Sequence, residues 1–247
     1  MQERFLEGRT ALVTGAARGI GRAIGQRLAR LGACVALGDL DAAGLEEAVR
    51  SIRDEGGQAV SCTLDVSDAN AVRAQFARLG PVEIVVNNAG ICPLTSPDDI
   101  GEGEWDRVLD VNLKGAFLCT QAALPGLRAA GWGRVINIAS AAGQMGGVAV
   151  GVHYAASKGG LLAMTKTFAR ILAPYGVTVN AIAPGTVETD LVAGWPEQTR
   201  RDIQAKLPLG RFVQPEEIAA AAAFLCCPEA GAITGATVDV NSGLLMR

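Results

Sequence analysis

The segment Arg9–Gly21, RTALVTGAARGIG, places the tightest limit on what this chain can fold into. Ala11–Val13 form a short apolar run that predicts a buried strand, and an amphipathic helix follows three glycines, Gly15, Gly19 and Gly21. Glycine lets the backbone approach a ligand closely, and a helix N-terminus offers free N–H groups to a pyrophosphate. This order is typical of dinucleotide-binding sites. The spacing G-x-x-x-G-x-G departs from G-x-G-x-x-G, so a tight strand-to-helix connection is the alternative.

Strands and helices alternate along the whole chain. We predict strands at 11–13, 34–39, 59–64, 82–86, 134–140, 177–182 and 236–240, and helices at 19–31, 42–55, 69–79, 98–130, 153–173 and 215–226. The alternation predicts an α/β fold with a doubly wound, seven-stranded parallel sheet and helices on both faces. No linker or repeat interrupts it, so we expect a single domain over 1–247, with a site-covering loop and helix insertion at about 187–210.

Composition excludes several classes of protein. The chain is 49% hydrophobic and 19% charged, which favours a sizeable core over disorder. A net charge of −3 without a basic run argues against nucleic acid as a partner. Six cysteines without CxxC spacing, most of them among apolar neighbours, predict buried free thiols in a reducing compartment, and the single histidine argues against a zinc site. The charged N-terminus lacks a signal peptide core, and the uncharged stretch 135–157 is too polar for lipid, so we expect a cytoplasmic protein without membrane contact.

Asp39 ends the second predicted strand and bears on the choice of nucleotide. A carboxylate here can accept both hydroxyls of an adenosine ribose, and it repels a 2′-phosphate. Alternatively, Asp39 caps the helix near Ala42, a role that Asp41 could also fill. Arg18 in the glycine turn favours NADP instead of NAD, because a guanidinium could bind the 2′-phosphate of NADP. We favour NAD over NADP, since Asp39 would repel that phosphate.

Tyr154 and Lys158 are four residues apart at the start of a predicted helix, so their side chains share one face. A phenol ionises at about pH 10, and a nearby ammonium lowers that pKa. The pair can therefore supply a general base, although a Tyr stem packed under a solvated Lys is the alternative. His153 is adjacent in sequence and faces elsewhere, which favours a structural or pocket-wall role.

Two further polar residues stand at informative places. Ser140 ends the fifth predicted strand, at the edge where ligands bind in open α/β sheets. Asn112 lies inside a predicted helix, where asparagine is unfavourable by propensity. A buried asparagine in such a place commonly serves the backbone instead of a ligand.

Together, these motifs resemble the classical short-chain dehydrogenase/reductase family, over essentially the whole chain from Gly8 to Leu245. The motifs that carry the resemblance are, in order, Thr14-Gly15-x-x-x-Gly19-Ile20-Gly21, Asp65-Val66, Asn87-Asn88-Ala89-Gly90, Asn112, Ser140, Tyr154-x-x-x-Lys158 and Pro184-Gly185. The resemblance implies a Rossmann fold, a nicotinamide cofactor and a homotetramer assembled through the long helices and the C-terminal strand.

The resemblance also implies roles for individual residues. Tyr154 would be the general acid/base, Lys158 would lower its pKa and bind the nicotinamide ribose, Ser140 would hold the substrate oxygen, and Asn112 would support a proton-relaying water chain. The implied cofactor-binding set is Gly15, Arg18, Gly19, Ile20, Gly21, Asp39, Asp65, Val66, Asn88, Gly90, Tyr154, Lys158, Pro184, Gly185, Val187 and Thr189. The expected substrate contacts are Ser140, Gln144, Tyr154 and Trp195, with Met145, His153 and Val187 as further candidates for the pocket wall.

These features predict an NAD(H)-dependent oxidoreductase that interconverts a secondary alcohol and a ketone on a small polyol, sugar derivative or related hydroxy compound. One alternative is an NADPH-dependent 3-oxoacyl-[acyl-carrier-protein] reductase, which the sequence also resembles. Against it, Ser140 and Tyr154 are one residue further apart than in many such reductases. In addition, Ala129-Ala130-Gly131 and Tyr175 stand where those enzymes place basic residues to dock an acidic carrier. Another alternative is a non-catalytic dinucleotide-binding scaffold.

Overall fold

The protein is represented by a computed structural model that describes residues 4–147 and 150–246. Seven strands form one sheet in the order β3-β2-β1-β4-β5-β6-β7, and every neighbouring pair is parallel. The strands are β1 (Thr10–Thr14), β2 (Cys34–Asp39), β3 (Gln58–Thr63), β4 (Ile84–Asn87), β5 (Gly133–Ile138), β6 (Val177–Pro184) and β7 (Thr237–Val240). The doubly wound parallel sheet predicted from the sequence is confirmed.

Ten α-helices connect and cover the strands within the described ranges. They are α1 (Gly19–Arg30), α2 (Ala42–Asp54), α3 (Ala69–Leu79), α4 (Glu102–Leu109), α5 (Gly115–Ala130), α6 (Ala142–Met145), α7 (Val152–Leu172), α8 (Asp190–Ala193), α9 (Glu197–Gln204) and α10 (Pro215–Cys226). No helix in these ranges is both long enough and apolar enough to cross a membrane.

The strands are apolar on both faces because helices cover both faces. Successive residues of β4 alternate between two cores: Ile84 and Val86 pack with α1, α2 and α10, whereas Val85 packs with α3, α5 and α7. The sequence therefore shows continuous apolar runs where an exposed sheet would show alternation.

The order of strands reverses between β1 and β4, which lie side by side in the sheet with Val13 opposite Val86. In open α/β sheets, such a switch point leaves a crevice at the carboxyl ends of the strands. The residues that follow β1, β4, β5 and β6 are consequently brought to one edge, which is where the candidate site lies.

The predicted helix at 98–130 is wrong as a single α-helix. A 3₁₀ turn at Pro97–Asp99 precedes α4, and a π-helical turn at Asp110–Lys114 separates α4 from α5. The π-helical turn contains Asn112, whose side chain bonds to a distant loop, and such turns are frequent at functional sites. The predicted strand at 134–140 ends earlier, at Ile138, so that Ser140 follows β5 by two residues.

Candidate active site

The glycine turn after β1 has no room for a side chain at Gly15 or Gly21. Gly15 and Gly19 have positive φ angles of 64° and 54°, which favour glycine. A Cβ on Gly15 would lie 2.8 Å from the Cα of Ala89, and one on Gly21 would overlap the Gly15 carbonyl oxygen. The turn leads directly into the N-terminus of α1, where the free N–H groups can bind a phosphate. This cradle fits the dinucleotide predicted from the sequence.

Thr14 and Asn88 bind the turn to the end of β4. The buried Thr14 hydroxyl donates to the Val86 carbonyl and accepts from the backbone N–H groups of Asn88 and Ala89, both at 3.0 Å. In return, the Asn88 amide donates to the carbonyls of Thr14 and Gly15 at 2.9 Å. The turn is therefore fixed by polar contacts within the protein, and the amide of Asn88 acts first as a support for it.

Asp39 lies at the tip of β2, and its carboxylate reaches across to the turn. One oxygen accepts from the backbone N–H of Ala17, and the other from that of Asp41, both at 3.1 Å. Asp41 itself caps α2 by accepting from the backbone N–H of Gly44, so Asp39 is not needed as that cap. Each Asp39 oxygen keeps a lone pair for a ribose hydroxyl. Arg18 is exposed, immediately before α1.

Tyr154 and Lys158 lie on one face of α7, with the Lys158 ammonium 5.7 Å from the centre of the Tyr154 ring. Lys158 is buried, and its Nζ donates to the Ile138 carbonyl at 2.8 Å. Ser140 hydrogen-bonds the Tyr154 hydroxyl, and the Ser140 oxygen accepts from the backbone N–H of Ala142 at 3.1 Å. The structure thus brings Ser140, Tyr154 and Lys158 together, as predicted from their places in the sequence.

The net pKa shift of Tyr154 is opposite to the decrease expected from Lys158. Burial raises the pKa of Tyr154 to about 12, with a further increase from the Cys92 thiol and a smaller decrease from the Ser140 hydrogen bond. Burial also lowers the pKa of Lys158 to about 8. Both shifts have one physical cause: the solvent-poor cleft penalises charge on either group.

Asn112 holds the loop after β4 against α7. Its side-chain oxygen accepts from the backbone N–H of Ile91 at 2.8 Å, and its amide donates to the Ile91 carbonyl and to the Ser157 hydroxyl. Ser157 in turn donates to the Tyr154 carbonyl at 2.7 Å. A Cβ on Gly90 would lie 3.2 Å from Asn112 and 3.5 Å from the Lys158 ammonium. Asn112 therefore serves the backbone beside the Tyr154–Lys158 pair.

The other residues proposed for the cofactor surround the same edge of the sheet. Thr189 lies against the glycine turn, 3.5 Å from where a Cβ of Gly19 would be. Val66 packs on Gly115, and the Asp65 carboxylate accepts from Ser67. The remaining four lie at or after β6 or in α1: Pro184 ends β6 and Gly185 follows it, Val187 bridges to Val213, and Ile20 packs partly into the core.

The two residues predicted only for substrate binding have other contacts here. The Gln144 amide donates to Asp239 of β7 at 2.5 Å. Trp195 packs against the apolar cluster formed by Val192, Leu207 and Phe212. Their contact with substrate stays a prediction, as does that of the half-exposed Met145.

Sequence reasoning missed two features of the site. Cys92, two residues after Gly90, is close enough to Tyr154 and Lys158 to interact electrostatically with both. His153, expected to be structural or part of a wall, is fully buried and hydrogen-bonds Glu104 at 2.9 Å. The position of Cys92 directly after the Asn-Asn-Ala-Gly motif is a signal that could have found it. Nothing in the local sequence marks Glu104.

All six cysteines are free, as predicted from their spacing. Cys62, Cys119 and Cys226 are buried, and burial raises the pKa of each thiol. The prediction of buried thiols is wrong for the other three, which are half-buried: Cys34, Cys92 and Cys227.

Several relatives of this chain are named as reductases or dehydrogenases. A short-chain dehydrogenase family model described as enoyl-(acyl carrier protein) reductase matches residues 15–245. The chain is 42% identical to a 3-oxoacyl-[acyl-carrier-protein] reductase of Pseudomonas aeruginosa, covering 98% of this chain and 99% of that protein. It is 40% identical to a cis-4-hydroxycyclohexanecarboxylate dehydrogenase of Sinomonas cyclohexanicum, covering 98% of each chain.

Solved structures of enzymes with bound nucleotides are also similar to this chain. A 3-oxoacyl-[acyl-carrier protein] reductase from Brucella melitensis with bound NAD superimposes with a TM-score of 0.93 at 38% identity, covering 100% of this chain and 94% of that one. An actinorhodin polyketide ketoreductase with NADPH gives 0.91 at 36% identity, covering 96% and 97%. The chain therefore belongs to the short-chain dehydrogenase/reductase family and is an oxidoreductase that acts on CH–OH or keto groups.

Proposed function

We propose that the protein is an NAD(H)-dependent oxidoreductase that interconverts a small secondary alcohol and the corresponding ketone, with Tyr154 as its acid/base. The observation that carries this proposal is the convergence of Ser140, Tyr154 and Lys158 in one cleft, beside a glycine turn that has Asp39 at its edge. The nicotinamide would accept or supply the hydride, and the protein would position the substrate and move the proton.

Tyr154 is suited to give a proton to a ketone oxygen. With its pKa raised to about 12, the phenol is protonated at neutral pH and is an acid in the reducing direction. The Ser140 oxygen accepts from the Ala142 N–H, which leaves the Ser140 proton for the Tyr154 or substrate oxygen. In the oxidising direction Tyr154 must ionise, and the Lys158 ammonium on the same helix face favours that form.

The proposed preference for NAD rests on Asp39. Its carboxylate is fixed at the edge of the turn by the backbone N–H groups of Ala17 and Asp41. A 2′-phosphate bound at this place would meet the negative charge of Asp39 directly. Arg18 is the one cation in the turn itself, and it is exposed. The repulsion therefore outweighs the attraction at this place.

The proposed substrate is a small hydroxy compound, and the surroundings of the site favour the less polar members of the polyol, sugar-derivative and hydroxy-compound class. Three exposed side chains near the site are apolar. Leu94, shortly after Cys92, is 59% exposed, Met145, after Ser140, is 43% exposed, and Val152, just before Tyr154, is 50% exposed. The sequence segments 84–97 and 135–157 that carry them contain no Lys, Arg, Asp or Glu. These segments offer no fixed charge to a carboxylate or phosphate on the substrate.

The second candidate is a 3-oxoacyl-[acyl-carrier-protein] reductase that uses NADPH. The identity of 42% to the Pseudomonas aeruginosa reductase favours it. Asp39 argues against NADPH as the cofactor, and the residues at 129–131 and 175 provide no basic side chain for an acidic carrier.

We also propose a cytoplasmic homotetramer, supported by the exposed apolar side chains Phe117, Ile171 and Phe224 on α5, α7 and α10.

Replacing Tyr154 tests the proposed function. Tyr154→Phe removes only the hydroxyl, so we expect kcat to fall about 100-fold to 10,000-fold while NADH binding is retained. Turnover is measured with cyclohexanol, a vicinal diol and a 3-oxoacyl thioester as probes, each with both nucleotides. Tyr175→Phe, at the only other tyrosine, is the matched control and should behave as wild type. Activity of Tyr154→Phe close to that of wild type would refute the assignment.

A further inference from the structure

The first turn of α7 has little local support for the Tyr154 that it carries. The helix begins at Val152 after Gly151, which provides no side-chain cap, and the segment before it contains Gly146 and Gly147. A glycine-rich entry leaves the backbone free to adopt many conformations. The position of the Tyr154 hydroxyl must therefore be fixed by contacts from other elements.

Two pairs of side chains leave this turn in different directions. Tyr154 and Lys158 face the cleft, whereas His153 and Ser157, also four residues apart, are completely buried. Ser157 meets Asn112 of the π-helical turn and donates to the Tyr154 carbonyl. His153 meets α4. The continuous helical segment 102–114 therefore contacts the catalytic turn at two places.

His153 is held on three sides. Its Nε2 lies 2.9 Å from a carboxylate oxygen of Glu104, and its ring stacks on Trp105 with centroids 6.4 Å apart and planes at 25°. A Cβ on Gly151 would overlap the His153 ring, so the ring lies directly against the backbone that enters α7. A shift of this ring would consequently move the residues on either side of it, including Tyr154.

Glu104 joins three elements through one carboxylate. It accepts a hydrogen bond from Thr95, in the loop after β4, and one from His153 of α7, while its own backbone belongs to α4. The hydrogen bond from Thr95, and after it that from His153, lower the pKa of Glu104, so the carboxylate is ionised at neutral pH. An ionised Glu104 accepts at Nε2, which assigns the His153 proton to that nitrogen.

We propose that Glu104 and His153 form a positioning pair, which fixes the Tyr154 hydroxyl relative to Ser140 and Lys158 through the first turn of α7. The inference rests on the proposed role of Tyr154 as the acid/base. Neither side chain touches the reacting atoms. Their contribution is geometric, and displacement of a catalytic group by about 1 Å can cost a factor of 100 in rate.

The test compares substitutions of two glutamates in the first turn of α4. Glu104→Ala removes the acceptor of His153, so we expect kcat to fall about 10-fold to 100-fold, with the KM for NADH unchanged. Glu104→Gln keeps an oxygen that can accept from Nε2 and should restore kcat to within about threefold of wild type. Glu102→Ala, at an exposed position, should leave kcat unchanged. The same three probe substrates and a melting curve of each variant complete the measurement.

Three results would overturn the positioning role: wild-type kcat in Glu104→Ala, equal losses in Glu104→Ala and Glu104→Gln, or a fall in the melting temperature alone. A crystal structure of Glu104→Ala gives an independent reading, because the Tyr154 hydroxyl should move away from Ser140. An unchanged hydroxyl position would contradict the proposal even if kcat fell.

The failure of this inference is distinguishable from failure of the proposed function. If Tyr154→Phe is inactive and Glu104→Ala is fully active, only the positioning pair is refuted. If Tyr154→Phe is active, the acid/base assignment itself is refuted. In the Tyr154→Phe background, Glu104→Ala should cause no further loss, since it acts through the missing hydroxyl.

Discussion

Two segments border the site, and they are held in different ways. The glycine turn after β1 is short and is connected to the sheet by polar contacts on every side: Thr14, Asn88 and Asp39 together make six hydrogen bonds that involve the turn or the ends of its strand and neighbouring β4. All six of these hydrogen bonds are buried or partly buried. The shape of the turn is therefore set before any ligand binds.

The segment 186–213 after β6 depends more on contacts within itself. Its two ends pair through Val187 and Val213, and an apolar cluster of Val192, Leu207 and Phe212 lies apart from the cores that cover the sheet. Arg200 of α9 joins Glu188 at the start of the segment. Such a unit can open locally while the two cores that cover the sheet stay intact.

This difference matches the two ligands of the proposed reaction. A turn that is fixed in advance loses little conformational entropy of its own when the nucleotide binds. The substrate must enter and leave beside the nucleotide, and a self-contained segment can open without disturbing the sheet. We therefore expect substitutions in the turn to abolish nucleotide binding and substitutions in the segment to affect mainly the substrate.

The largest effect is expected from Gly21→Ala. A methyl group there overlaps the Gly15 carbonyl and comes within 2.6 Å of the Asn88 amide, so the turn must open. Overpacking of this kind costs about 1–3 kcal/mol, and we expect a corresponding loss of stability together with a loss of NADH affinity of at least about 10-fold. NADH fluorescence titration and urea unfolding measure the two effects.

Gly103→Ala is the matched control for this substitution. Gly103 is also helical, but nothing lies within 4 Å of where its Cβ would be. The change should stabilise α4 slightly, because alanine is the better helix former. Equal NADH affinities in the two variants would show that the turn is not the nucleotide site.

Asp39→Asn should change the preference of the glycine turn between NADH and NADPH without changing the shape of the turn. Asparagine keeps an oxygen that can accept from a backbone N–H, and it removes the charge that repels a 2′-phosphate. We expect NADH affinity to fall about 10-fold relative to NADPH affinity, equivalent to about 1.4 kcal/mol. Parallel titrations with both nucleotides measure this ratio.

Asp41→Asn is the control here, since it makes the same change of charge two residues away, in the cap of α2. It should leave the ratio of the two affinities unchanged. An equal shift in both variants would mean that the total charge near the turn decides the preference, and tighter binding of NADPH by the wild type would refute the assignment of NAD.

The fold was predictable from the sequence wherever burial alone determines the structure. The strand predicted at 34–39 coincides with β2, because a central parallel strand must be apolar throughout. The predicted helix at 98–130 failed at Asn112, where the π-helical turn depends on hydrogen bonds to Ile91, 21 residues earlier. A contact at that separation leaves no periodic pattern in the helix itself.

The candidate site was likewise predictable from the sequence only in part. The i, i+4 spacing of Tyr154 and Lys158 was enough to predict that they share a helix face. The pKa of Tyr154 was not predictable in direction, because its burial depends on elements from across the chain. The partner of His153 was also out of reach: Glu104 is 49 residues away, and an exposed-looking glutamate in a first helical turn has an ordinary explanation in the helix dipole.

Arg200→Ala should have the smallest effect of these variants, and its effect should be confined to the segment 186–213. Its guanidinium makes two parallel contacts with Glu188, at 2.8 and 2.9 Å, donates to the Val192 carbonyl and lies over the Phe212 ring. Loss of these contacts should loosen 186–213, so we expect faster hydrogen exchange in peptides from this range and a KM for the probe alcohol a few-fold higher. Exchange in peptides covering 10–21 and the affinity for NADH should be unchanged. Arg201→Ala, which loses only an exposed pair with Glu197, is the control. If Arg200→Ala weakened NADH binding as much as substrate binding, the two segments would form one cooperative unit, and their separate roles would have to be abandoned.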